Sequence, residues 1–137
     1  MANILIAVTG SIASYKSADL VSSLKKQGHQ VTVLMTEAAR EFIQPLTLQV
    51  LSQNPVHLDV MKEPYPDQVN HIELGKRTDL FIVAPATANT IAKLAHGFAD
   101  NMVTSPALAL PDHVQKIVAP AMNTKMYHHP ASQANLK

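Results

Sequence analysis

The sequence of 137 residues contains no cysteine and few aromatic residues. Without cysteine there can be no disulfides, thiolate metal sites or thiol nucleophiles, and a reducing compartment is compatible, so we expect a cytoplasmic protein. Aromatic residues make up 4% of the chain whereas 47% of it is hydrophobic, so the core must consist of aliphatic side chains and methionine. That composition is typical of strands covered by helices on both faces.

The chain also lacks a charge excess and a long hydrophobic run. Its 11 basic and 10 acidic residues are scattered and give a net charge of +1, which argues against a nucleic-acid partner. No window approaches the roughly 18 consecutive apolar residues of a membrane span. The N-terminal MANILIAVTGS has no basic leader, so we expect a strand there and no secretory signal. One domain over residues 1–137, with a small molecule or a protein surface as its partner, is the expectation.

Four aliphatic runs predict four β-strands that alternate with helices. The predicted strands are Asn3–Val8, Gln30–Met35, Asp79–Ala84 closed by Pro85, and Val114–Ala119, whose end we expect to be buried. Helical patterns run from Ile12 to a stop at Gly28, from a cap at Thr36, and over Leu46–Leu51, His71–Arg77, Thr87–Ala95 and Asn101–Leu110, with a loop at Pro55–Asn70. This alternation predicts an α/β fold with a parallel sheet.

Every candidate site residue near a strand follows the end of that strand. Gly10 and Ser11 follow the first strand, Thr36 the second, Thr87 to Asn89 the third and Asn123 the fourth. In open parallel sheets, ligands bind in the crevice outside the carboxyl ends of the strands. We therefore expect these four loops to meet at one edge of the sheet.

Two strand-to-helix turns could hold a phosphorylated ligand. TGSIASYKS, residues 9–17, offers hydroxyls and free amides at a helix start, but it has one glycine where the dinucleotide fingerprint has three, and it lacks the P-loop lysine. A phosphate site and an ordinary capped turn both remain open. In APATANTIAKLA, residues 84–95, small side chains would let a flat ligand approach; alternatively, Thr87 only caps its helix while Asn89 and Thr90 face solvent.

Other polar side chains have a functional and a structural interpretation. His71 could carry protons near neutral pH, or be structural. Asn123 could hold a carboxylate but cannot act as a base, and Met122 and Met126 could line its pocket or fill the core. The adjacent His128–His129 pair has no partner at metal-site spacing and is interpreted as surface, so no metal site is predicted.

Three motifs in order, HIELGKRTDL, APATANTIAKLAHGFADN and PAMNTKMY, resemble the flavin-dependent cysteine decarboxylase family from the first strand to about Tyr127. The resemblance implies a three-layer Rossmann-like (flavodoxin-like) subunit that binds FMN, with helices on both faces of the sheet. It implies a catalytic role for His71 and a hold on the substrate carboxylate by Asn123, with Met126 nearby. The implied flavin contacts are Gly10, Ser11, Ile12, Thr36, Thr87, Ala88, Asn89, Thr90 and Ala121.

The resemblance also implies an activity and an assembly. The expected reaction is FMN-dependent decarboxylation of phosphopantothenoylcysteine to phosphopantetheine in coenzyme A biosynthesis. Members of the family form homo-oligomers, trimers or multiples of trimers, with the histidine supplied by a neighbouring subunit. They also use a cysteine on a C-terminal flap to donate a proton in the last, reductive step. The 137 residues contain no cysteine, so we expect this chain to lack that flap and its proton donor.

Three alternatives belong to other classes. A flavin prenyltransferase would also bind FMN, but its substrate has no carboxylate for Asn123 to hold. A non-catalytic flavin-binding regulatory subunit would account for the missing cysteine. A phospho-receiver domain would need an acidic cluster at the strand ends, which the sequence does not contain.

Overall fold

A four-stranded parallel sheet organises the chain, whose computed structural model describes residues 1–58 and 75–137. The strands are β1 (Asn3–Val8), β2 (Gln30–Met35), β3 (Leu80–Ala86) and β4 (Gln115–Pro120), in the order β2-β1-β3-β4. The helices with both bounds in the described residues are α1 (Lys16–Lys26), α2 (Pro45–Ser52), α3 (Ala88–Ala95), α4 (Thr104–Leu108), α5 (Thr124–His128) and α6 (Pro130–Leu136), with 3-10 turns at Ile12–Tyr15 and Ala38–Glu41. The predicted α/β class is confirmed.

The central strands are buried on both faces because their side chains alternate between two helical layers. Ile4, Ile6 and Val8 of β1 pack on one face with Val21 of α1 and Leu48 of α2. On the other face, β1 and β3 pack against α3 and the start of α4 through Leu5, Ala7, Phe81, Ile91 and Val103. The result is the expected three-layer, flavodoxin-like arrangement with helices on both sides of the sheet.

The bounds of β1 and β2 match their predictions, whereas β3 is longer than predicted. Pro85 does not close the strand, which continues to Ala86 through a cis Ala84–Pro85 bond. The ladder with β4 is irregular between Val83 and Ala86, where a proline, lacking an amide hydrogen, cannot donate. The prediction was wrong because the carbonyl of Pro85 still has a partner, the backbone amide of Thr9 at 3.3 Å.

Three predicted helices differ from those observed. The segment from Ile12 divides into a 3-10 turn and α1, which ends before Gly28 (φ +89°) as expected. After Thr36 the chain makes only a 3-10 turn, with the Thr36 hydroxyl accepting from the Ala39 amide at 3.2 Å. The segment 101–110 is α-helical only in α4, because the Asn101 side chain accepts hydrogen bonds from the amides of Val103 and Thr104.

Other predictions agree in part. α2 covers the predicted Leu46–Leu51, and α3 begins after Thr87 as its N-cap. Of the predicted helix His71–Arg77, only residues 75–77 lie within the described residues, and they are helical. Most of the predicted loop Pro55–Asn70 lies outside them. Within residues 1–58 and 75–137, no helix is long and apolar enough to cross a membrane.

The strand β4 is an edge strand, and the prediction that its end is buried was wrong. All six of its residues are exposed, and Ile117 retains 49% of its accessible surface. Beside it lies an open hollow of about 340 Å³ with apolar walls from Phe81, Leu94, Phe98 and Val118. Ile117, Val118 and Ala119 of β4 are apolar enough for a core, but within the described chain only β3 lies next to this strand in the sheet.

Candidate active site at the carboxyl edge of the sheet

At one edge of the sheet, the loop after each outer strand is hydrogen-bonded to the end of the neighbouring inner strand, and the loops after the two inner strands are hydrogen-bonded to each other. The Thr36 amide, after β2, donates to the carbonyl of Val8 at 3.1 Å, and the Ala121 amide, after β4, donates to the carbonyl of Ala86 at 3.0 Å. Between them, the Thr87 amide donates to the hydroxyl of Thr9 at 3.0 Å. The four loops that carry the predicted site residues are therefore neighbours in the order of the strands.

The junction between β1 and β3 is the point where the strand order reverses. The chain moves from β1 to β2 on one side and from β3 to β4 on the other. In doubly wound sheets, the loops diverge at such a point and open a crevice for a ligand. The loops on either side of it contain Gly10 to Ile12 and Thr87 to Thr90, which are predicted flavin contacts.

The first loop is held tightly by short hydroxyl side chains. Ser11 caps the 3-10 turn by accepting from the Ala13 amide at 3.1 Å, and its own amide donates to the Ser14 hydroxyl at 3.1 Å. The buried Ser14 hydroxyl in turn donates to the carbonyl of Thr9 at 2.8 Å. Ile12, predicted to touch the flavin, is 83% exposed at the tip of this turn.

Gly10 is required by the packing of the first loop against the second. A Cβ added at Gly10 would lie 2.6 Å from the Cβ of Ala38 and 3.0 Å from its carbonyl carbon. Contacts this short do not occur between real Cβ atoms, so only glycine lets the loop after β1 approach the turn after β2. Thr36, a predicted flavin contact at the base of that turn, is buried.

The third loop is a capped helix start. The Thr87 hydroxyl accepts from the Thr90 amide at 3.2 Å and lies 3.1 Å from the Thr90 hydroxyl. Asn89 is exposed and Ala88 is half-buried. Thr90 is buried, so the alternative in which it faces solvent was wrong, while the capping part of that alternative is confirmed.

The fourth loop presents the predicted substrate residues. The Oδ1 atom of Asn123 accepts from the Lys125 amide at 2.8 Å and caps α5. An amide hydrogen requires the oxygen there, so Nδ2 of Asn123 is left as a donor, without a partner among the described residues. Met126 is 51% exposed, whereas Met122 packs against the core on the α3 side. The two methionines therefore do not share one environment.

The remaining predictions concern the histidines and the absence of a metal site. His71, the predicted catalytic histidine, lies outside the described residues. Within residues 1–58 and 75–137, no group of three or more His, Asp or Glu side chains is arranged to hold a metal ion. The His128–His129 pair is exposed, and His129 caps α6 by accepting from the Ala131 amide at 3.0 Å.

Thr9 and Ser14 connect the loops, and neither was predicted as a site residue. Both are buried, and their partners are backbone groups of the first loop, of the end of β3 and of the third loop. The sequence feature that could have pointed to them is the high content of hydroxyl residues in TGSIASYKS. Their partners across the sheet could not be inferred from that run.

Comparison with known proteins agrees with this geometry. The family model described as Flavoprotein matches residues 1–137. The chain is 65% identical over 133 residues to a probable phosphopantothenoylcysteine decarboxylase of Streptococcus mutans, covering 97% of this chain and 74% of that protein. It is 48% identical over 134 residues to the coenzyme A biosynthesis bifunctional protein CoaBC of Bacillus subtilis, covering 98% of this chain but only 32% of that protein.

Solved structures show the same fold. The FMN-dependent cysteine decarboxylase SpaF superposes with a TM-score of 0.91 at 28% identity, covering 99% of this chain and 77% of that chain. A PPC decarboxylase mutant complexed with pantothenoylaminoethenethiol gives a TM-score of 0.83 at 30% identity, covering 98% of this chain and 75% of that chain. The chain therefore belongs to the Flavoprotein family and is similar to the phosphopantothenoylcysteine decarboxylases.

Proposed function

We propose that this chain binds FMN at the carboxyl edge of its sheet and decarboxylates phosphopantothenoylcysteine to phosphopantetheine in coenzyme A biosynthesis. FMN is the cofactor supported by the family match and the FMN-dependent structural neighbours. The observation that carries the proposal is the joining of four loops at one edge, in a chain 65% identical to a probable phosphopantothenoylcysteine decarboxylase.

The residues at this edge suit a flat, phosphorylated ring system. The amides of Ala88 and Asn89, in the first turn of α3, have no acceptor within the helix. Such amides and the helix dipole both favour a phosphate. Ser11 and Thr87 add hydroxyls, the small side chain of Ala88 leaves room for a ring, and Gly10 lets the first loop pack against the turn after β2. We place the predicted flavin contacts Ile12, Thr36, Thr90 and Ala121 around the same crevice.

Each substrate residue has a distinct task in this proposal. When bound, FMN would accept two electrons from the carbon that carries the thiol, which creates the electron sink that loss of CO₂ requires, and would return them in the final reduction, so that the overall reaction is redox-neutral. Nδ2 of Asn123 donates to the substrate carboxylate and positions it without adding a charge. Met126 offers an apolar, polarizable wall. His71 is proposed to carry protons around the thiol and the flavin.

We also propose assembly into trimers or multiples of trimers, in the cytoplasm. Large apolar side chains are exposed in the segments after β1 and β2, namely Ile12, Tyr15, Phe42, Leu46 and Val50. Subunit contacts beside the first two loops would remove this apolar surface from water. Light scattering of the FMN-loaded protein should give a mass of three chains or a multiple of three, and a monomer would reject this part of the proposal.

The principal experiment combines flavin binding with turnover. Titration with FMN should quench flavin fluorescence and give a protein-bound absorption band. Phosphopantothenoylcysteine added under nitrogen should then release CO₂. FMN binding with no CO₂ release would identify a non-catalytic flavin-binding subunit, and a prenylated flavin formed from a prenyl phosphate would identify a prenyltransferase. Absence of flavin binding would reject all three.

Substitution of Asn123 tests the substrate site. In Asn123→Asp the carboxylate still caps α5, but it repels the substrate carboxylate, so turnover should fall on the order of 100-fold while FMN binding is kept. Asn135→Asp, which makes the same change of charge in α6, is the matched control and should leave turnover unchanged. Normal turnover in Asn123→Asp would remove Asn123 from the site.

His71→Asn tests the proton carrier. FMN should still bind, because the histidine is proposed to handle protons and not to hold the flavin. Decarboxylation should be slower across the pH range in which an imidazole titrates. Unchanged rates would return His71 to a structural role.

A further inference from the structure

We infer that Thr9 is a positioning residue that sets the distance between the two loops of the flavin crevice. This inference rests on the proposed function, because it concerns the same site. Thr9 follows the end of β1 and is only 1% exposed, so it does not reach a ligand itself. It acts through the loops on either side of it.

The Thr9 hydroxyl bonds to two backbone groups, one near the end of β3 and one in the loop that follows it. It donates its hydrogen to the carbonyl of Pro85 and accepts the amide hydrogen of Thr87 at 3.0 Å. Pro85 and Thr87 flank Ala86, the last residue of β3. A single buried side chain directly after β1 therefore holds the chain on both sides of the last residue of β3.

The two hydrogen bonds are not equally replaceable. If the hydroxyl were removed, the carbonyl of Pro85 would keep the backbone amide of Thr9 as a donor, at 3.3 Å. Thr9 Oγ1 is the acceptor that the described structure gives the amide of Thr87. An amide left without an acceptor in a half-buried loop costs free energy, so the loop would move to find one.

The backbone of Thr9 is linked to the first loop in the same way. The Ser14 hydroxyl donates to the carbonyl of Thr9 at 2.8 Å and accepts from the Ser11 amide at 3.1 Å. Both loops are thus bonded to one buried residue at the point where the strand order reverses. Movement of the third loop relative to Thr9 is also movement relative to the first loop.

Preorganisation explains why this matters for a ligand. A flavin that spans both loops binds most tightly when their spacing is already set, because no free energy is then spent on ordering them. The effect of removing the hydroxyl should therefore appear in FMN affinity beyond any effect on stability.

The test compares three variants of the full chain by FMN fluorescence titration and thermal unfolding. Thr9→Val keeps the shape but removes the hydroxyl, and should weaken FMN binding about tenfold. Thr9→Ser restores the hydroxyl and should recover most of the affinity. Ser52→Ala removes a buried hydroxyl at the end of α2, where its partner is Asn54, and should lower stability without changing FMN affinity.

The outcomes separate this inference from the proposed function. If the wild-type chain fails to bind FMN, the proposed function fails. If the wild-type chain binds FMN and Thr9→Val binds it equally well, the inference about Thr9 is overturned. Should Thr9→Val not fold, amide hydrogen exchange of the wild-type chain decides: the Thr87 amide should be protected before FMN is added, and a fast-exchanging Thr87 amide would also overturn the inference.

Discussion

The strands β1 and β4 both contain an aliphatic run but lie in opposite environments. In β1, NILIAV, every residue after Asn3 is buried; in β4, QKIVAP, all six residues are exposed. The difference lies in their neighbours: β1 has a strand on each side and helices on both faces, whereas within the described residues β4 has only β3 beside it in the sheet. The exposure of Ile117, Val118 and Ala119 therefore follows from the position of β4 in the sheet, since these three residues are as apolar as those of β1.

The largest expected effect is in β1. Ile6 is fully buried among the side chains of α1 and α2, so Ile6→Ala should leave a cavity and lower the free energy of unfolding by about 2–5 kcal/mol. Urea denaturation followed by circular dichroism measures this. A loss below about 1 kcal/mol would mean that the core collapses into the space and that the contrast with β4 is weaker than the burial suggests.

The next effect concerns the loop after β1. Gly10→Ala places a methyl group against Ala38 and should cost about 1–3 kcal/mol through overpacking, and it should weaken FMN binding by separating the first and second loops. Gly75→Ala is the matched control, because the nearest atoms to its added Cβ lie at 3.6 Å, an ordinary contact. Equal stability of the two variants would show that the turn at Ala38 can move away at little cost.

A smaller effect is expected in β4. Ile117 is half exposed and belongs to neither core cluster, so Ile117→Ala should change the free energy of unfolding by less than about 1 kcal/mol. The same urea experiment as for Ile6→Ala makes the comparison direct. A loss as large as that of Ile6→Ala would show that β4 is covered in solution.

The smallest effect is expected at the exposed ion pair between Lys93 and Asp100. The hydrogen bond from Lys93, with Nζ 2.7 Å from the carboxylate, lowers the pKa of Asp100 below its usual value. A carboxylate with a lowered pKa stabilises the fold above its unfolded pKa, and this contribution disappears as the pH falls through the folded value. Asp100→Asn should therefore be slightly less stable near neutral pH and no different in strong acid.

Salt provides the control for this pair. Screening should reduce the small difference between Asp100→Asn and the wild-type chain near neutral pH, because both partners are accessible to water. Thermal unfolding at low and high salt tests this. A difference that persists in strong acid would assign the effect to the contact of Asp100 with Thr104 and not to its charge.

The sequence was sufficient for the strands whose ends are marked by local signals. β1 and β2 matched because each aliphatic run stops at a hydroxyl residue, Thr9 or Thr36, that begins a turn. The predicted β3 ended too early because a proline usually ends a strand. The residue that bonds to the carbonyl of Pro85 is Thr9, which lies 76 residues away in the sequence. The exposure of β4 could not be predicted, since a sequence shows that Ile117 is apolar but not which chains lie beside it.

The site was predictable to the level of loops and less so to the level of atoms. Strand ends in a parallel sheet must share an edge, which brought Gly10, Thr87 and Asn123 to one side of the molecule. The solvent-facing alternative for Thr90 failed because the Thr87 cap turns that side chain inward. The hydrogen bonds of Thr9 to the end of β3 could not be predicted, because they depend on the register between β1 and β3, which no local sequence pattern encodes.

The position of Pro120 has a consequence for the open side of the sheet. Ala121 donates its amide towards β3, so by the alternation of a parallel ladder the main-chain groups of Pro120 face away from it. Pro120 has no amide hydrogen to donate on that side, so a strand that pairs with β4 would lack one backbone hydrogen bond just before Asn123. The missing hydrogen bond disfavours an added strand that would continue past Pro120 and cover the loop that contains Asn123.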